Sequence, residues 1–280
     1  MTSTKSRRKA RERVGTVLIA VPLTLGALVC ALPFVWMVAN SVKTRAEAVS
    51  YPPQLLPSQW TFAAYVKLFT ELDFLHYTLN TVALVALGLV GLLLTAMAGY
   101  GFAKFKGRAL GWGFFAVLMT MMIPAQVTMI PTYLVVNAAG LTNNLVGIAL
   151  PTLVSAFGVF LFRQFMITIP DSLLEAARID GASELRIFFA IALPISRPIL
   201  IVQGLLTVIA SWNSFLWPLI LSSSQRTYTL SVGLSLLNKQ ITTDPTVQMA
   251  GAALMTLPII VLFFLAQRHI VAGFTMSGIK

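Results

Sequence analysis

The sequence of 280 residues is poor in charge. Only 10% of its residues are Asp, Glu, Lys or Arg, whereas a soluble globular domain carries about 25%. Hydrophobic residues make up 57% of the chain, and the mean hydropathy is +0.84. So few charges do not cover the water-facing surface of a soluble protein of this size. The composition therefore excludes a soluble enzyme, a disordered chain and a collagen, and it indicates an integral membrane protein.

Cysteine and clustered reactive side chains are also scarce. The single Cys30 cannot form an internal disulfide, which excludes a disulfide scaffold, and we interpret it as a residue of an apolar run. His76 and His269 are isolated and have no metal-ligand partner at a useful spacing. The sequence also lacks a Gly-x-x-x-x-Gly-Lys-Ser/Thr phosphate loop. We therefore expect no catalytic residue, no metal and no cofactor on this chain.

Long runs without a charged residue locate the membrane spans. A spanning helix needs about 20 apolar residues, and helices can satisfy their own backbone in hydrocarbon. These runs are too long and too uniformly apolar for the strands of a membrane barrel. One run is long enough for two helices, with a polar break at 137–144. The sequence thus predicts an all-α protein with six transmembrane helices, at 14–40, 78–103, 110–136, 144–166, 198–221 and 248–270.

The distribution of basic residues predicts the orientation. The basic segment 1–13 resembles the start of a secretion signal, but the apolar run after it is about twice as long as that of a signal. We therefore expect an uncleaved first helix. With the N-terminus inside, 15 of the 20 Lys and Arg residues lie on inner segments, so the positive-inside rule predicts that both termini are cytoplasmic. On this topology 41–77 is an extracytoplasmic loop, 167–197 is the largest inner loop, and 271–280 is an inner tail.

The inner loop 167–197 is predicted to hold two short helices. Ser172 and Glu175 have the spacing of a capping box, which would begin the first helix, and Gly181 can end it in a left-handed conformation. The second helix would present one apolar face and end or bend at Pro194. The residues of that face are Leu185, Phe188, Phe189 and Ala192. The pattern is compatible with a docking knob for a partner protein and with an amphipathic helix on the membrane surface.

A motif in this loop resembles a known family. The pattern Glu175-Ala-Ala-x-x-x-Gly181-x9-Ile191-x-Leu193-Pro194 matches the EAA motif of permease subunits of binding-protein-dependent ABC importers. We call residues 170–194 the EAA segment. Four further stretches resemble the carbohydrate branch of this family, the maltose-permease type, and the likeness extends over 75–280, with a core at 75–270. These stretches are Met121–Pro131, Phe162–Pro170, Ser211–Pro218, and Gln267–Gly273 with Gly278–Lys280.

The resemblance implies a fold, a membrane and a set of partners. It implies the type I ABC importer transmembrane fold in a bacterial cytoplasmic membrane, and a chain that is not itself an enzyme. The partners would be a second, homologous permease subunit, an extracytoplasmic solute-binding protein and two cytoplasmic ATPase subunits that bind ATP and Mg²⁺. This chain would form half of the translocation pathway for a carbohydrate, with a glycerophosphodiester or polyol as the alternative substrate.

The resemblance also implies which residues couple the chain to the ATPase. In the family the EAA loop forms a coupling helix that lies in a cleft of the ATPase subunit. A rigid knob that continues into two spans can transmit rigid-body motion between inward-facing and outward-facing states. The implied coupling residues are Glu175, Ala176, Ala177, Arg178, Asp180, Gly181, Ile191, Leu193 and Pro194.

Polar side chains within the spans are candidates for the substrate pathway, because a polar group in hydrocarbon is costly. Asn213 lies between Trp212 and Trp217, and an amide beside aromatic rings suits a sugar, which stacks on rings and hydrogen-bonds through its hydroxyls. The other candidates are Gln126, Asn80 and Gln203. For each of them the alternative is a hydrogen bond between helices. Prolines in or beside the spans are expected to bend them; these are Pro124, Pro131, Pro198 and Pro258.

Two other classes of membrane protein fit the sequence less well. A membrane-embedded enzyme needs ionisable groups inside the membrane, and an ion channel or ion-coupled carrier usually keeps such groups near the midplane. The predicted spans contain almost none. The sequence therefore favours a transport subunit that is powered by partner ATPases.

Overall fold

The computed structural model describes residues 3–240 and 244–276, and it describes the side chains of most residues in 16–236 and 244–267. The predicted tail 271–280 and most of the basic segment 1–13 therefore lie outside the described side chains. Helices are the regular elements of the described residues, in agreement with the predicted fold class. The chain divides into two units, Met1–Leu72 with Leu237–Thr256, and Asp73–Leu236 with Leu257–Lys280.

Three helices are long and apolar enough to cross a membrane on their own. They contain the apolar stretches Leu18–Ser41, Phe74–Lys104 and Pro245–Gln267. Three further pairs of helices meet the same criteria only when each bent pair is counted as one span. The total is then six, which is the predicted number. The full helices are α1 (Ser3–Ser41), α4 (Phe74–Lys104) and α15 (Pro245–Met276).

Two of the bends lie inside the predicted spans 110–136 and 144–166, and the third lies just before the predicted span 198–221. Bends were expected at Pro124 and Pro198, whereas the bend at Ser155 was not predicted. The axes within the pairs bend by 109°, 55° and 85°. The predicted break at 137–144 is confirmed, because one helix ends at Ala138 and the next begins at Leu145. The pairs are α5 (Arg108–Thr120) with α6 (Ala125–Ala138), α7 (Leu145–Ala149, extended by a 3₁₀ turn to Thr152) with α8 (Ala156–Ile167), and the segment Glu184–Ile195 with α12 (Arg197–Trp212).

Each break has a local cause. The 109° bend ends at Pro124, whose extended ψ of 134° precedes α6 and whose ring disfavours a helical conformation at the preceding residue. The 55° bend ends at Ser155, which is also extended and whose hydroxyl accepts a hydrogen bond from Gly158 N. The 85° bend lies at Ser196, two residues before Pro198, which cannot donate a backbone hydrogen bond. Pro194, where the sequence predicted the end or bend, lies inside a helix that ends at Ile195.

The remaining helices are short. Two of them, α2 and α3, lie between α1 and α4, where an extracytoplasmic loop was predicted. The predicted fifth span, 198–221, is interrupted within its length, because Asn213–Phe215 separate α12 from α13. These short helices are α2 (Arg45–Ala48), α3 (Ala63–Thr70), α9 (Asp171–Ile179), α10 (Glu184–Ile187), α11 (Leu193–Ile195), α13 (Leu216–Leu221) and α14 (Leu230–Gln240).

The first unit is held by polar contacts at the end of α1 and beside α15. Lys43 is only 2% exposed, and its ammonium donates to Asn40 Oδ1 (3.1 Å) and to the carbonyl of Gln54. The ammonium also lies 4.8 Å from the centre of the Trp36 ring, in a cation–π arrangement. Lys67 of α3 pairs with the buried Asp244 at 3.5 Å.

In the second unit, α4 packs closely against α7 and α8. Glycines allow this approach. A Cβ added at Gly91 would lie 1.9 Å from Leu153 O, one at Gly99 would lie 2.5 Å from Phe162 Cβ, and one at Gly158 would lie 2.7 Å from a methyl group of Thr95. Small residues at such contacts are typical of helix packing in membranes. The same unit carries the EAA segment and the predicted pathway residues.

Candidate functional site: the EAA segment and the polar face of α12

The first helix of the EAA segment, α9, exposes most of its side chains. Leu174 is fully buried, Ala177 is half-buried, and Glu175, Ala176 and Arg178 are exposed. Ile179, an apolar residue, is 86% exposed. The predicted capping box is wrong, because α9 begins one residue before Ser172, with Pro170 at its N-cap and no side-chain cap. The inner face of α9 thus packs on the protein, and its outer face is exposed.

A tight turn joins α9 to the next helix. Gly181 has φ +79°, as the sequence predicted, and its N–H donates to Arg178 O at 3.0 Å. Ala182 N donates to Ala177 O, also at 3.0 Å, which closes the C-terminus of α9 in the way that a left-handed glycine permits. Ser183 then caps α10, because its hydroxyl accepts from Arg186 N. The predicted helix–turn–helix is therefore present.

The predicted apolar face of the second helix is only partly right. Phe188 and Ala192 are buried, but Leu185 is 59% exposed and Phe189 is 47% exposed. Ile187 is fully buried in their place. The reason is that residues 188–192 form a π-helical turn between α10 and α11, which changes the periodicity on which the prediction relied. Ile191 and Leu193 of the EAA motif are half-buried and pack against the apolar cluster that contains Phe188 and Ala192.

Polar contacts tie the EAA segment to the end of α4. Lys104 Nζ donates to Asp171 Oδ1 (2.7 Å) and to Ile169 O (2.5 Å), with its side chain 3% exposed. Arg178 Nε donates to Glu184 Oε1 at 2.6 Å, and Tyr100 Oη donates to the other carboxylate oxygen at 3.1 Å. The hydrogen bond from Lys104 lowers the pKa of Asp171, and the one to Glu184 raises the pKa of Arg178.

An apolar core lies beneath these polar contacts. Residues of α4, α8, α9 and the π-helical turn form one buried cluster, so the EAA segment is packed on two spanning elements at once. Such packing restricts independent movement of the segment, because protein interiors are close-packed and transmit displacement. The cluster includes Tyr100, Phe162, Met166, Leu174, Ile187, Phe188 and Ala192.

The predicted aromatic site around Asn213 is not assembled. Asn213 Nδ2 donates to Ile209 O at 2.9 Å, so the amide caps the end of α12. Trp212 lines an apolar cavity with residues of α4 and α15, including Val82 and Pro258. Trp217 packs on a different cluster, which includes Leu84. The two indole rings and the amide therefore belong to three different surroundings.

The other predicted pathway residues differ in their contacts. Asn80 is buried, and its Nδ2 donates to Arg226 O and Tyr228 O, both at 2.9 Å. This amide joins α4 to the loop before α14. Gln126 is exposed in the first turn of α6, directly after the 109° bend. Gln203 is 6% exposed on α12, and its Nε2 is buried without a hydrogen-bond partner among the described residues.

Gln203 lines a cavity of about 450 Å³ between α12 and the break that precedes α8. Thr207, Ser211 and Ser214 follow it at intervals of four, four and three residues, so they share one face of the helix and its extension. Sequence reasoning missed these three hydroxyls. The signal was present in their helical spacing, but each residue alone is too common in membrane helices to attract attention. We call the four residues the polar face of α12.

These features define a class of protein. Broken spans around a polar cavity, with a helical knob fixed to the ends of two spans, are typical of a polytopic transport subunit, because irregular backbone is tolerated in a membrane only where protein or a water-filled cavity covers it.

Comparison with known proteins identifies the family. Residues 91–275 match the binding-protein-dependent transport system inner membrane component family. The chain belongs to this family of ABC transporter permeases, as the EAA motif indicated, and it has the type I importer permease fold.

Individual relatives support the assignment. The chain is 33% identical to an arabinooligosaccharide transport permease, AraQ, of Halalkalibacterium halodurans, over 92% of this chain and 95% of the relative. It is 32% identical to the lactose transport permease LacG of Rhizobium radiobacter, over 94% and 96%. It is 31% identical to the sn-glycerol-3-phosphate transport permease UgpE of Agrobacterium fabrum, over 93% and 96%.

A solved structure shares the fold along most of the chain. It is a crystal structure of a bacterial ABC transporter involved in the import of the acidic polysaccharide alginate, with a TM-score of 0.82 and 26% identity. The match covers 91% of this chain and 96% of that one.

Proposed function

We propose that this chain forms half of the translocation pathway of an ATP-driven importer for a carbohydrate that a solute-binding protein delivers. The chain would pair with a second, homologous permease subunit and with two ATPase subunits. The names of the arabinooligosaccharide and lactose relatives support a sugar or oligosaccharide as the substrate. The relative named for sn-glycerol 3-phosphate keeps a glycerol phosphate, or a related polyol compound, as the second candidate.

The geometry of the EAA segment carries the proposal of coupling to an ATPase. Its inner face is fixed to α4 and α8, while Glu175, Ala176 and Ile179 stand exposed on its outer side. An exposed apolar residue beside a carboxylate suits a protein cleft better than bulk water. The segment thus has one face for the spans and one for a partner, with Arg178, Asp180 and Gly181 shaping the turn, and Ile191, Leu193 and Pro194 joining it to α12.

The orientation of the chain follows from the same proposal. If the EAA segment meets a cytoplasmic ATPase, the inner loop 167–197 and both termini are cytoplasmic, in accord with the excess of basic residues on those segments. ATP and Mg²⁺ would be bound by the partner subunits.

One experiment tests the substrate class. The solute-binding protein encoded beside this chain is purified, and its melting temperature is measured with neutral oligosaccharides, uronate oligosaccharides and glycerol 3-phosphate. A rise with a saccharide supports the proposal, since ligand binding stabilises the folded state. A rise with glycerol 3-phosphate alone would establish the second candidate instead.

A second experiment tests coupling. Glu175→Lys reverses the charge of the exposed EAA carboxylate and is expected to reduce binding-protein-stimulated ATPase activity of the reconstituted complex at least about tenfold, which corresponds to about 1.4 kcal/mol. Glu71→Lys is the matched control, because Glu71 is also exposed and lies at the end of α3, outside the EAA segment. Full activity and normal assembly of Glu175→Lys would remove the coupling role.

The predicted pathway residues are tested in the same system. Asn213→Leu is expected to reduce uptake only if the amide leaves the end of α12 during transport. Unchanged uptake together with normal assembly would assign Asn213 to the helix cap that it forms at Ile209 O.

A further inference from the structure

The polar face of α12 contains a buried amide that the described residues leave unpaired. The side chain of Gln203 makes no hydrogen bond with the described residues, although 94% of its surface is buried. An unpaired amide in such a place costs free energy, about 1–3 kcal/mol. The half-buried hydroxyls of Thr207, Ser211 and Ser214 point to the same conclusion, since they lie along the same cavity in an otherwise apolar helix. The unpaired amide is therefore available to a ligand, to water or to a partner.

The opposite wall of the cavity is also polar. It consists of the break between α7 and α8, where Pro151, Thr152 and Ser155 line the cavity. Backbone groups at a broken helix are not paired within the helix, so such a break is covered by protein or by a water-filled space rather than by lipid. Two polar walls suit the cavity between them to water or to a polar ligand.

The chemistry of the lining selects a class of ligand. A carboxamide and several hydroxyls can both donate and accept, which matches the hydroxyl groups of a sugar. Phe157, 48% exposed, adds an aromatic ring on which the apolar face of a sugar can stack. None of the lining residues is charged. A uronate or a phosphate ester would therefore meet no cation here.

We infer that the polar face of α12 and the break before α8 form a subsite for a neutral sugar unit on this chain. The inference rests on the proposed function, a carbohydrate permease, and it narrows the substrate to uncharged saccharides. A volume of about 450 Å³ lies within the range of roughly 300–1,000 Å³ that is typical of small-molecule sites. Gln203 is the central donor and acceptor, and the hydroxyls of Thr207 and Ser211 define the depth at which the ring lies.

The uptake assay below tests the proposed function and the neutral class of the substrate, and the labelling experiments that follow it test the subsite. The complete importer is reconstituted in proteoliposomes with its binding protein, and uptake of lactose, maltose, arabinotriose, trigalacturonate and glycerol 3-phosphate is measured. Uptake of a neutral saccharide is expected. Uptake of none of the five overturns the proposed function and this inference with it, and uptake of only the charged probes overturns the neutral class.

Thiol protection then locates the sugar. Cys30→Ser removes the only cysteine, and Ala210→Cys places a thiol on the cavity wall. The transported neutral sugar, in the absence of binding protein, is expected to slow alkylation of this thiol, whereas trigalacturonate and glycerol 3-phosphate are not. Ile130→Cys, exposed on α6 outside the cavity lining, is the control that should show no protection.

Removal of the amide completes the test. Gln203→Leu keeps the volume but loses the hydrogen bonds, and it is expected to raise the half-protecting sugar concentration about five- to tenfold. Thr256→Val on α15, whose hydroxyl already donates to Ala252 O, is the matched control and should leave that concentration unchanged. Two results would overturn the subsite and leave the proposed function intact. In the first, a neutral sugar is taken up but does not protect the thiol at position 210. In the second, the sugar protects this thiol equally well in the Gln203→Leu variant.

Discussion

The EAA segment and the polar face of α12 use polar residues in opposite ways. In the EAA segment Asp171 pairs with Lys104 of α4, and Glu184 pairs with Arg178 and accepts from Tyr100 of α4. On α12, Gln203 is buried without a partner. Paired groups fix a segment to its surroundings, whereas unpaired buried groups keep affinity for something else. The difference separates a part of the molecule built to hold its shape from a part built to exchange partners.

The largest effect is expected at the turn of the EAA segment. Gly181→Pro fixes φ near −65° where the structure has +79°, and it removes the N–H that donates to Arg178 O. We expect loss of assembly with the ATPase or loss of stimulated ATPase activity, measured by co-purification and by phosphate release.

Gly181→Ala gives a graded control for this turn. Alanine keeps the N–H, but the left-handed conformation costs it about 1–2 kcal/mol. The complex that contains the Gly181→Ala variant should therefore assemble with reduced stability. Wild-type activity of Gly181→Pro would show that the turn is not part of the rigid unit.

The next effect concerns the packing that supports the EAA segment. Gly99→Ala places a Cβ 2.5 Å from Phe162 Cβ and 3.1 Å from Arg163 N, so α4 and α8 must separate. We expect a loss of about 1–3 kcal/mol of stability, seen as a lower unfolding temperature of the purified chain in detergent.

Gly101→Ala is the matched control on the same helix, because a Cβ there meets nothing within 4 Å. It should leave the unfolding temperature unchanged or raise it, since alanine favours the helix. Equal effects of the two substitutions would mean that the contact between α4 and α8 is not tight.

A smaller effect compares two buried amides directly. Asn80→Leu removes the hydrogen bonds to Arg226 O and Tyr228 O and should cost about 1–3 kcal/mol of stability with uptake per assembled complex unchanged. Gln203→Leu should do the reverse, with stability kept and sugar protection weakened. The same response of both variants would abolish the distinction between paired and unpaired groups.

The smallest effect is the pH dependence of the Lys104–Asp171 pair. The pKa of Asp171 is lowered by the hydrogen bond from Lys104, so the pair stabilises the fold above the ordinary carboxyl pKa of 3.8 and the contribution is lost as pH falls through the lowered value. Asp171→Asn should therefore lower the unfolding temperature slightly at pH 7, and this difference should shrink as the pH falls below 3.8. A difference that persists at low pH would show that the charge is not the cause.

Sequence reasoning found the spans and the EAA segment because each has a strong, local signal. Uncharged runs revealed the spans, and the fixed spacing from Glu175 to Pro194 revealed the segment. Pro124 was recognised as a residue that bends a helix, but the size of the bend depends on what packs against both arms, which a single sequence does not report. The predicted capping box at Ser172 failed because Pro170 already begins α9.

The second helix and the pathway were predicted less well, for related reasons. The π-helical turn at 188–192 shifts the buried face of the helix. A prediction based on a period of 3.6 residues therefore identified some of the wrong residues as buried. Trp212 and Trp217 are neighbours of Asn213 in sequence, but the helix ends between them and sends the rings in different directions. The polar face of α12 is set by which helix lies opposite, and this is tertiary information.

The bend at Ser196 joins the segment Glu184–Ile195 to α12 through a hydrogen-bonded corner. Ser196 is fully buried, its hydroxyl and its N–H both donate to Ala192 O, and its carbonyl accepts from Leu200 N, so hydrogen bonds brace both sides of the 85° bend although Pro198 donates none. Satisfied hydrogen bonds on both sides of a bend resist a change in its angle. If the EAA segment has the proposed coupling role, a displacement of that segment would be carried to α12 through this corner, and we expect the amides of Ser196 and Leu200 to be among the slowest of the described residues to exchange their hydrogens.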